Sequence, residues 1–117
     1  MGSSTFGSVT TGFVHYITSK GGIMGFTRGL ASELGSTGIT VNAIAPSLTR
    51  TPGALARKPR VGIASIDEEF ELVAQGQSIK RVELPEDLVG TVSYLTGDDA
   101  AFVTGQMINV NGGRIFS

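Results

Sequence analysis

The chain has 117 residues, 40 % of them apolar and 16 % charged, with 17 glycines and neither cysteine nor tryptophan. That is the composition of a single ordinary globular domain, and it excludes a collagen-like repeat, a disulfide scaffold and a disordered tail. Nine Lys and Arg against ten Asp and Glu leave a formal charge of -1, with no basic cluster beyond Arg57, Lys58 and Arg60, so nucleic acid is not an expected partner.

Without cysteine there is no thiolate ligand, and one histidine cannot build a metal centre without several carboxylates, so no metal site is expected. The opening MGSSTFGSVTTGF is polar, with no basic lead and no apolar core segment. No run of about 18 apolar residues follows it. The reading is of a soluble, cytoplasmic chain with no membrane partner.

In chain order, the first 13 residues carry small and hydroxyl side chains around Phe6, Val9 and Phe13, the pattern of a short strand end running into a loop. Ile23, Phe26, Leu30 and Leu34 then recur at helical spacing and predict a helix over 15–34, with Gly35 as its stop. In ITVNAIAP, Ile39, Val41 and Ala43 alternate with Thr40 and Asn42, and Ile44 makes the second face apolar as well. A strand buried on both faces belongs to a parallel sheet. Pro46 ends it. The stretch from 46 to 85 holds four prolines and three spaced glycines around one acidic amphipathic segment, 66–75, and reads as a mobile connection rather than a second core. Pro85, Glu86 and Asp87 start a further helix, with acids at the positive end of its dipole, and Leu88, Val92 and Leu95 continue it to Gly97. A last strand is expected over 105–110. Asn109, Asn111, Gly112 and Gly113 are expected to form a turn. The order of elements makes any strand pairing parallel with a helical crossover.

Tyr16 and Lys20 lie four residues apart on the first helix, so their side chains leave the same face. A phenol titrates near 10 and is a poor acid or base at neutrality, but an adjacent ammonium stabilises its anion. Such a pair can pass a proton to or from a carbonyl or alcohol oxygen. An exposed, solvated pair has the same spacing, so the spacing alone leaves both readings open. Adjacent residues on a helix face different ways, which leaves His15 outside this pair.

Four ordered motifs add to the pair: Ser3, thirteen residues before Tyr16; Tyr16-Ile-Thr-Ser-Lys20; Asn42 to Pro46; and 81–99 followed by Thr104-Gly-Gln. Together they resemble the carboxyl-terminal half of the short-chain dehydrogenase/reductase family, over almost the whole chain. Ser47 stands where that family usually has Gly. The resemblance implies an α/β fold, a partial Rossmann-like doubly wound parallel sheet of helix, strand, long loop, helix and strand. It also implies NAD(P)-dependent hydride transfer between a carbonyl and an alcohol. Tyr16 would be the general acid or base. Lys20 would stabilise its anion and bind the nicotinamide ribose. Ser3, with Ser4 as the competing position, would hold the substrate oxygen. The turn of Pro46, Ser47 and Thr49, with the Thr51 hydroxyl, would contact the nicotinamide carboxamide. Residues 51–79 would form the substrate lid of one unit spanning 1–117.

In that family a glycine-rich strand–turn–helix grips the cofactor pyrophosphate, and none precedes Ser3 in these residues. The expectation is a chain truncated at its amino terminus, with weak or no binding of NAD or NADP by itself and no turnover. An alternative is a non-catalytic module that self-associates, as a homo-oligomer, or assembles with an intact relative.

Overall fold

The computed structural model describes residues 1–2 and 11–116. Helix α1 (Val14–Leu34) is followed by strand β1 (Ala43–Pro46), helices α2 (Pro52–Ala56), α3 (Ile66–Gln75) and α4 (Glu86–Thr96), and strand β2 (Met107–Val110). The strands pair in parallel, Ala43 opposite Met107 through Pro46 opposite Val110. The crossover between them is helical, as the order of elements requires. Of the expected amino-terminal strand end, all but the first two residues and 11–13 lies outside the described residues.

The apolar spacing correctly placed α1, but its end differs from expectation. Gly35 keeps a right-handed helical backbone, and a short 3-10 turn runs on to Thr37. The chain leaves the helix at Gly38, whose φ of 81° is the left-handed conformation that favours glycine. The stripe chosen from the sequence is not the buried one either. Phe26 is 67 % exposed, while Thr27 and Ala31, one turn apart, are buried. Ala31 packs over Gly105, where an added β-carbon would sit 3.5 Å from its own.

The strand starts later than its alternation suggests because Asn42 interrupts the ladder. Its amide Nδ2 donates to Val103 O, and its Oδ1 accepts from Gln106 N. One side chain thus satisfies a donor and an acceptor that regular pairing would otherwise have to meet. Gly2 N donates to Ile44 O; successive residues of a strand point their backbone groups to opposite edges, so this bond lies on the edge that β2 leaves open. Asn109, expected in a turn, is in β2 opposite Ala45. The turn follows it: Asn111 Oδ1 accepts from Gly113 N and Arg114 N, and Gly112 and Gly113 have φ of 63° and 73°.

The largest departure concerns the stretch from 46 to 85. It is folded, not a loose connection, and α3 supplies the only large apolar side chain that is fully buried among the described residues, Phe70 at 1 % exposure, together with Val73 and Ala74. Burying a phenylalanine contributes roughly 3 kcal/mol. Arg50 stacks over the Phe70 ring with Cζ 5.4 Å from its centroid, and its guanidinium reaches Asp67 at 3.1 Å. Ser65 caps α3 by accepting from Glu68 N, and three acids occupy the first turn. The α4 start matches expectation: Asp87 accepts from Leu84 N and pairs with Arg81 at 2.6 Å. That guanidinium, with the Leu84 amide, holds the Asp87 carboxyl down to about 2.

The radius of gyration is 15.5 Å and the extents are 51 × 28 × 25 Å, against a radius of about 13 Å for a compact chain of this length. The elongation follows from α1, whose 21 residues span about 31 Å yet bury only Thr27 and Ala31. No helix among the described residues is long and apolar enough to cross a membrane.

Candidate active site

Tyr16 and Lys20 occupy successive turns at the start of α1. Lys20 Nζ lies 5.6 Å from the centroid of the Tyr16 ring, so the ammonium and the phenol do meet across one turn. Phe13 packs edge-on against the same ring, centroids 5.9 Å apart and planes at 83°, which fixes the ring from the amino-terminal side. Ser19 Oγ donates to Tyr16 O within the helix. Both members of the pair are half-buried. Among the described residues Lys20 makes no ion pair. His15 is exposed.

Pro46, Ser47, Thr49 and Thr51 follow one another off the carboxyl end of β1. Ligands of parallel α/β sheets bind at the carboxyl ends of the strands. Thr51 is the N-cap of α2, and its hydroxyl accepts from Ala54 N at 3.1 Å. A hydroxyl accepting one bond still has its own proton to donate. Ser47 is turned inward: its Oγ donates to Gln77 Oε1 at 2.8 Å, and its N donates to Glu83 Oε2 at 2.7 Å. Thr49 pairs with Glu83 as an isolated parallel bridge, and Arg50 N donates to Glu83 O. Ser3 and Ser4 lie outside the described residues.

Gln77 and Glu83 were not legible as site residues. Each lies in the polar connection between α3 and α4, among Ser78, Lys80 and Arg81, and what singles them out is burial, at 3 % and 6 % exposure. They also line a pocket of about 170 Å³ with Ile79, Arg81, Asp87, Val110 and Gly112. Burial pushes the Glu83 carboxyl above the usual carboxylate range, while the Ser47 amide and the Thr49 hydroxyl pull it the other way. Among the described residues its Oε1 has no hydrogen-bond partner.

A parallel strand pair joined by helices, with the helix that carries Tyr16 and Lys20 leading into the first strand, is a piece of a Rossmann-like α/β sheet. The chain belongs to the short-chain dehydrogenase/reductase family: the pattern of the enoyl-(acyl carrier protein) reductases matches residues 1–114. It is 38 % identical over 112 residues to the short-chain reductase protein NovJ of Streptomyces niveus, covering 96 % of this chain and 42 % of that protein. Among solved structures, the promiscuous reductase LugOII, which catalyses keto-reduction at C1 in lugdunomycin biosynthesis, superposes with a TM-score of 0.81 at 30 % identity, covering 97 % of this chain and 42 % of the other. A blue fluorescent protein from a metagenomic library, in complex with NADPH, superposes with a TM-score of 0.79 at 34 % identity, covering 98 % of this chain and 43 % of the other. The fold is thus a partial Rossmann-like sheet, and the chain spans about two fifths of the length of the relatives it matches.

Proposed function

We propose that this chain supplies the acid/base pair and the nicotinamide-facing turn of an NAD(P)-dependent reductase that interconverts a carbonyl and an alcohol. The observation that carries the reading is the juxtaposition of Lys20 Nζ and the Tyr16 ring at 5.6 Å. A nicotinamide cofactor, when bound, supplies or accepts the hydride. The donor set suits such a group: the Lys20 ammonium fits a ribose diol, and the Thr51 hydroxyl fits a carboxamide oxygen. In the reducing direction Tyr16 Oη delivers its proton to the carbonyl oxygen, and Lys20 stabilises the phenolate left behind. Ser3 or Ser4 would hold that oxygen. Residues 51–79 would form the lid over the substrate, with α2 and α3 as its rigid parts.

The pyrophosphate grip is a different matter, because no glycine-rich strand–turn–helix occurs in these residues. With only ribose and carboxamide contacts, positioning of the ring loses several kcal/mol. NADH and NADPH titrated calorimetrically into the 117-residue chain are expected to bind more weakly than about 100 μM; tighter binding of either overturns this expectation.

The exposed apolar side chains favour a second reading, an assembling module. Val14, Phe26, Val89 and Phe102 are 77 %, 67 %, 62 % and 103 % exposed. A second chain covering these side chains would remove that apolar surface from water. On this reading, light scattering at micromolar concentration returns a mass of at least two chains, and a strictly monomeric mass excludes it.

A further inference from the structure

We infer that Glu83, together with Gln77, is a positioning residue that sets the backbone of the turn leaving β1. The inference rests on the reading of that turn as the nicotinamide-facing segment.

Besides the Arg50 contacts with Asp67 and Phe70 of α3, the turn is held by the connection between α3 and α4, from which three kinds of bond converge on it. Glu83 Oε2 accepts from Ser47 N at 2.7 Å. The Glu83 main chain accepts from Arg50 N at 2.8 Å and bridges Thr49 in parallel. Gln77 Oε1 accepts from Ser47 Oγ at 2.8 Å. The orientation of that amide is not free: Gln77 Nε2 donates to Ile79 O at 3.0 Å and to Arg81 O at 2.9 Å, so the carboxamide oxygen must face Ser47. Gly112 closes the other side, because a β-carbon there would come to 3.0 Å of Gln77 Nε2.

The consequence is a division of labour along five residues. Ser47 has its amide and its hydroxyl committed inward, so neither is available to a ligand. Recognition by this turn then falls to its remaining backbone groups and to the Thr51 hydroxyl, whose placement follows from where Glu83 pins Ser47 and Arg50. A carboxylate suits this task better than an apolar residue would, since a bond from a backbone amide to a charged acceptor is shorter and stronger than a neutral one. The charged groups facing Glu83 are Arg81 and Asp87, which themselves form an ion pair. Their effects on it oppose each other, and the Ser47 amide, followed by the Thr49 hydroxyl, is the chief support of the buried carboxylate. Glu83 touches no reacting atom on this reading; it acts through the turn.

Amide NMR on the full 117-residue chain tests the inference. In the wild type the Ser47 amide resonance is expected to move with pH, with a midpoint above the ordinary carboxylate range, and to stop doing so in Glu83→Gln. Hydrogen exchange at Ser47 is expected to rise about ten-fold or more in Glu83→Ala and to return toward wild type in Glu83→Gln, with α1 amides unchanged. Millimolar NADH is expected to perturb amides within 47–51 in wild type and Glu83→Gln but not in Glu83→Ala. A Ser47 amide that does not titrate in the wild type, or that titrates equally in Glu83→Gln, overturns the positioning role even if the alanine variant fails to fold. So does NADH perturbing 47–51 in Glu83→Ala as in the wild type. A normal Ser47 titration with no NADH effect on 47–51 in the wild type overturns instead the reading of the turn as nicotinamide-facing.

Discussion

Replacing Tyr16 by phenylalanine is expected to lower NAD(P)H-dependent carbonyl reduction by about 10²- to 10⁴-fold, the range for loss of a positioned general acid, when the chain is assayed with the amino-terminal segment of a relative. The substitution is informative because it separates chemistry from packing. The phenylalanine ring retains the edge contact with Phe13 and the face presented to Lys20; only Oη is lost. Stability should therefore change by no more than about 1 kcal/mol, the net worth of a typical hydrogen bond. Lys20→Met, which keeps the length of the side chain and removes its charge, should depress the same rate in the same direction while leaving the fold intact. A Tyr16→Phe protein that reduces carbonyls within ten-fold of the wild type, in an assay where the wild type is active, would falsify the assignment of Tyr16 as the acid.

The second large effect is on stability and centres on Glu69. Its side chain is 2 % exposed and accepts from Arg57 Nη2 at 3.0 Å, Arg60 Nε at 2.7 Å and, through Oε2, from Arg57 Nη1 and Arg60 N. This one carboxylate ties the end of α2 and the loop after it to α3. Breaking a buried ion pair from one side commonly costs about 3–5 kcal/mol, because the opposite charge is left stranded. Here the arginine side chains are 35 % and 33 % exposed and recover some hydration, so about 2–3 kcal/mol is expected for Glu69→Ala. Arg114 suffers too. Burial and the charge of Arg60 disfavour its protonated form, and Glu69 is the charge that offsets them. Against a total domain stability of about 5–15 kcal/mol, a loss of this size is readily read from the midpoint of urea unfolding.

The pH dependence follows from the same contacts. Burial alone would raise the Glu69 carboxyl, but the hydrogen bonds and charges of Arg57 and Arg60 outweigh it and hold the group below its ordinary value of 4.5. A carboxyl depressed in the folded state contributes stability that is fully present above the unfolded value and lost as pH falls through the folded one. The stability difference between wild type and Glu69→Gln should therefore be constant from neutrality down to about pH 5.5 and shrink at more acidic pH. A difference that stays the same at pH 3 as at pH 7 would show that the ion cluster does not form in solution.

How far the chain could be read in one dimension depended on whether the relevant interaction was local. Helix α1, helix α4 and the parallel strand pair were all visible, since each rests on spacing, capping or element order. The meeting of Tyr16 and Lys20 was visible for the same reason: a helix brings residues four apart together whatever surrounds it. The stretch from 46 to 85 misled because proline and glycine mark turns, and they say nothing about whether the segment between the turns is buried. The acidic amphipathic character of 66–75 was plain in the sequence, but its Ser65 cap and the burial of Phe70, Val73 and Ala74 were not. Gln77 and Glu83 had no local signature at all; their partners Ser47, Thr49 and Arg50 lie some thirty residues away in the chain.

By itself, then, the amino-acid sequence determined α1 and α4, the parallel sense of the sheet, the spacing of Tyr16 and Lys20 on one helix face and the family these residues resemble, because helical periodicity, caps and crossover rules act within a few residues. Only the tertiary structure decided that Thr27 and Ala31 rather than Phe26 face the core, that Asn42 stands in for the ladder before β1, that Glu69 holds two arginines, and that Ser47 turns inward to Gln77 and Glu83. Burial and long-range hydrogen bonding depend on which surfaces meet, and no spacing along the chain specifies that.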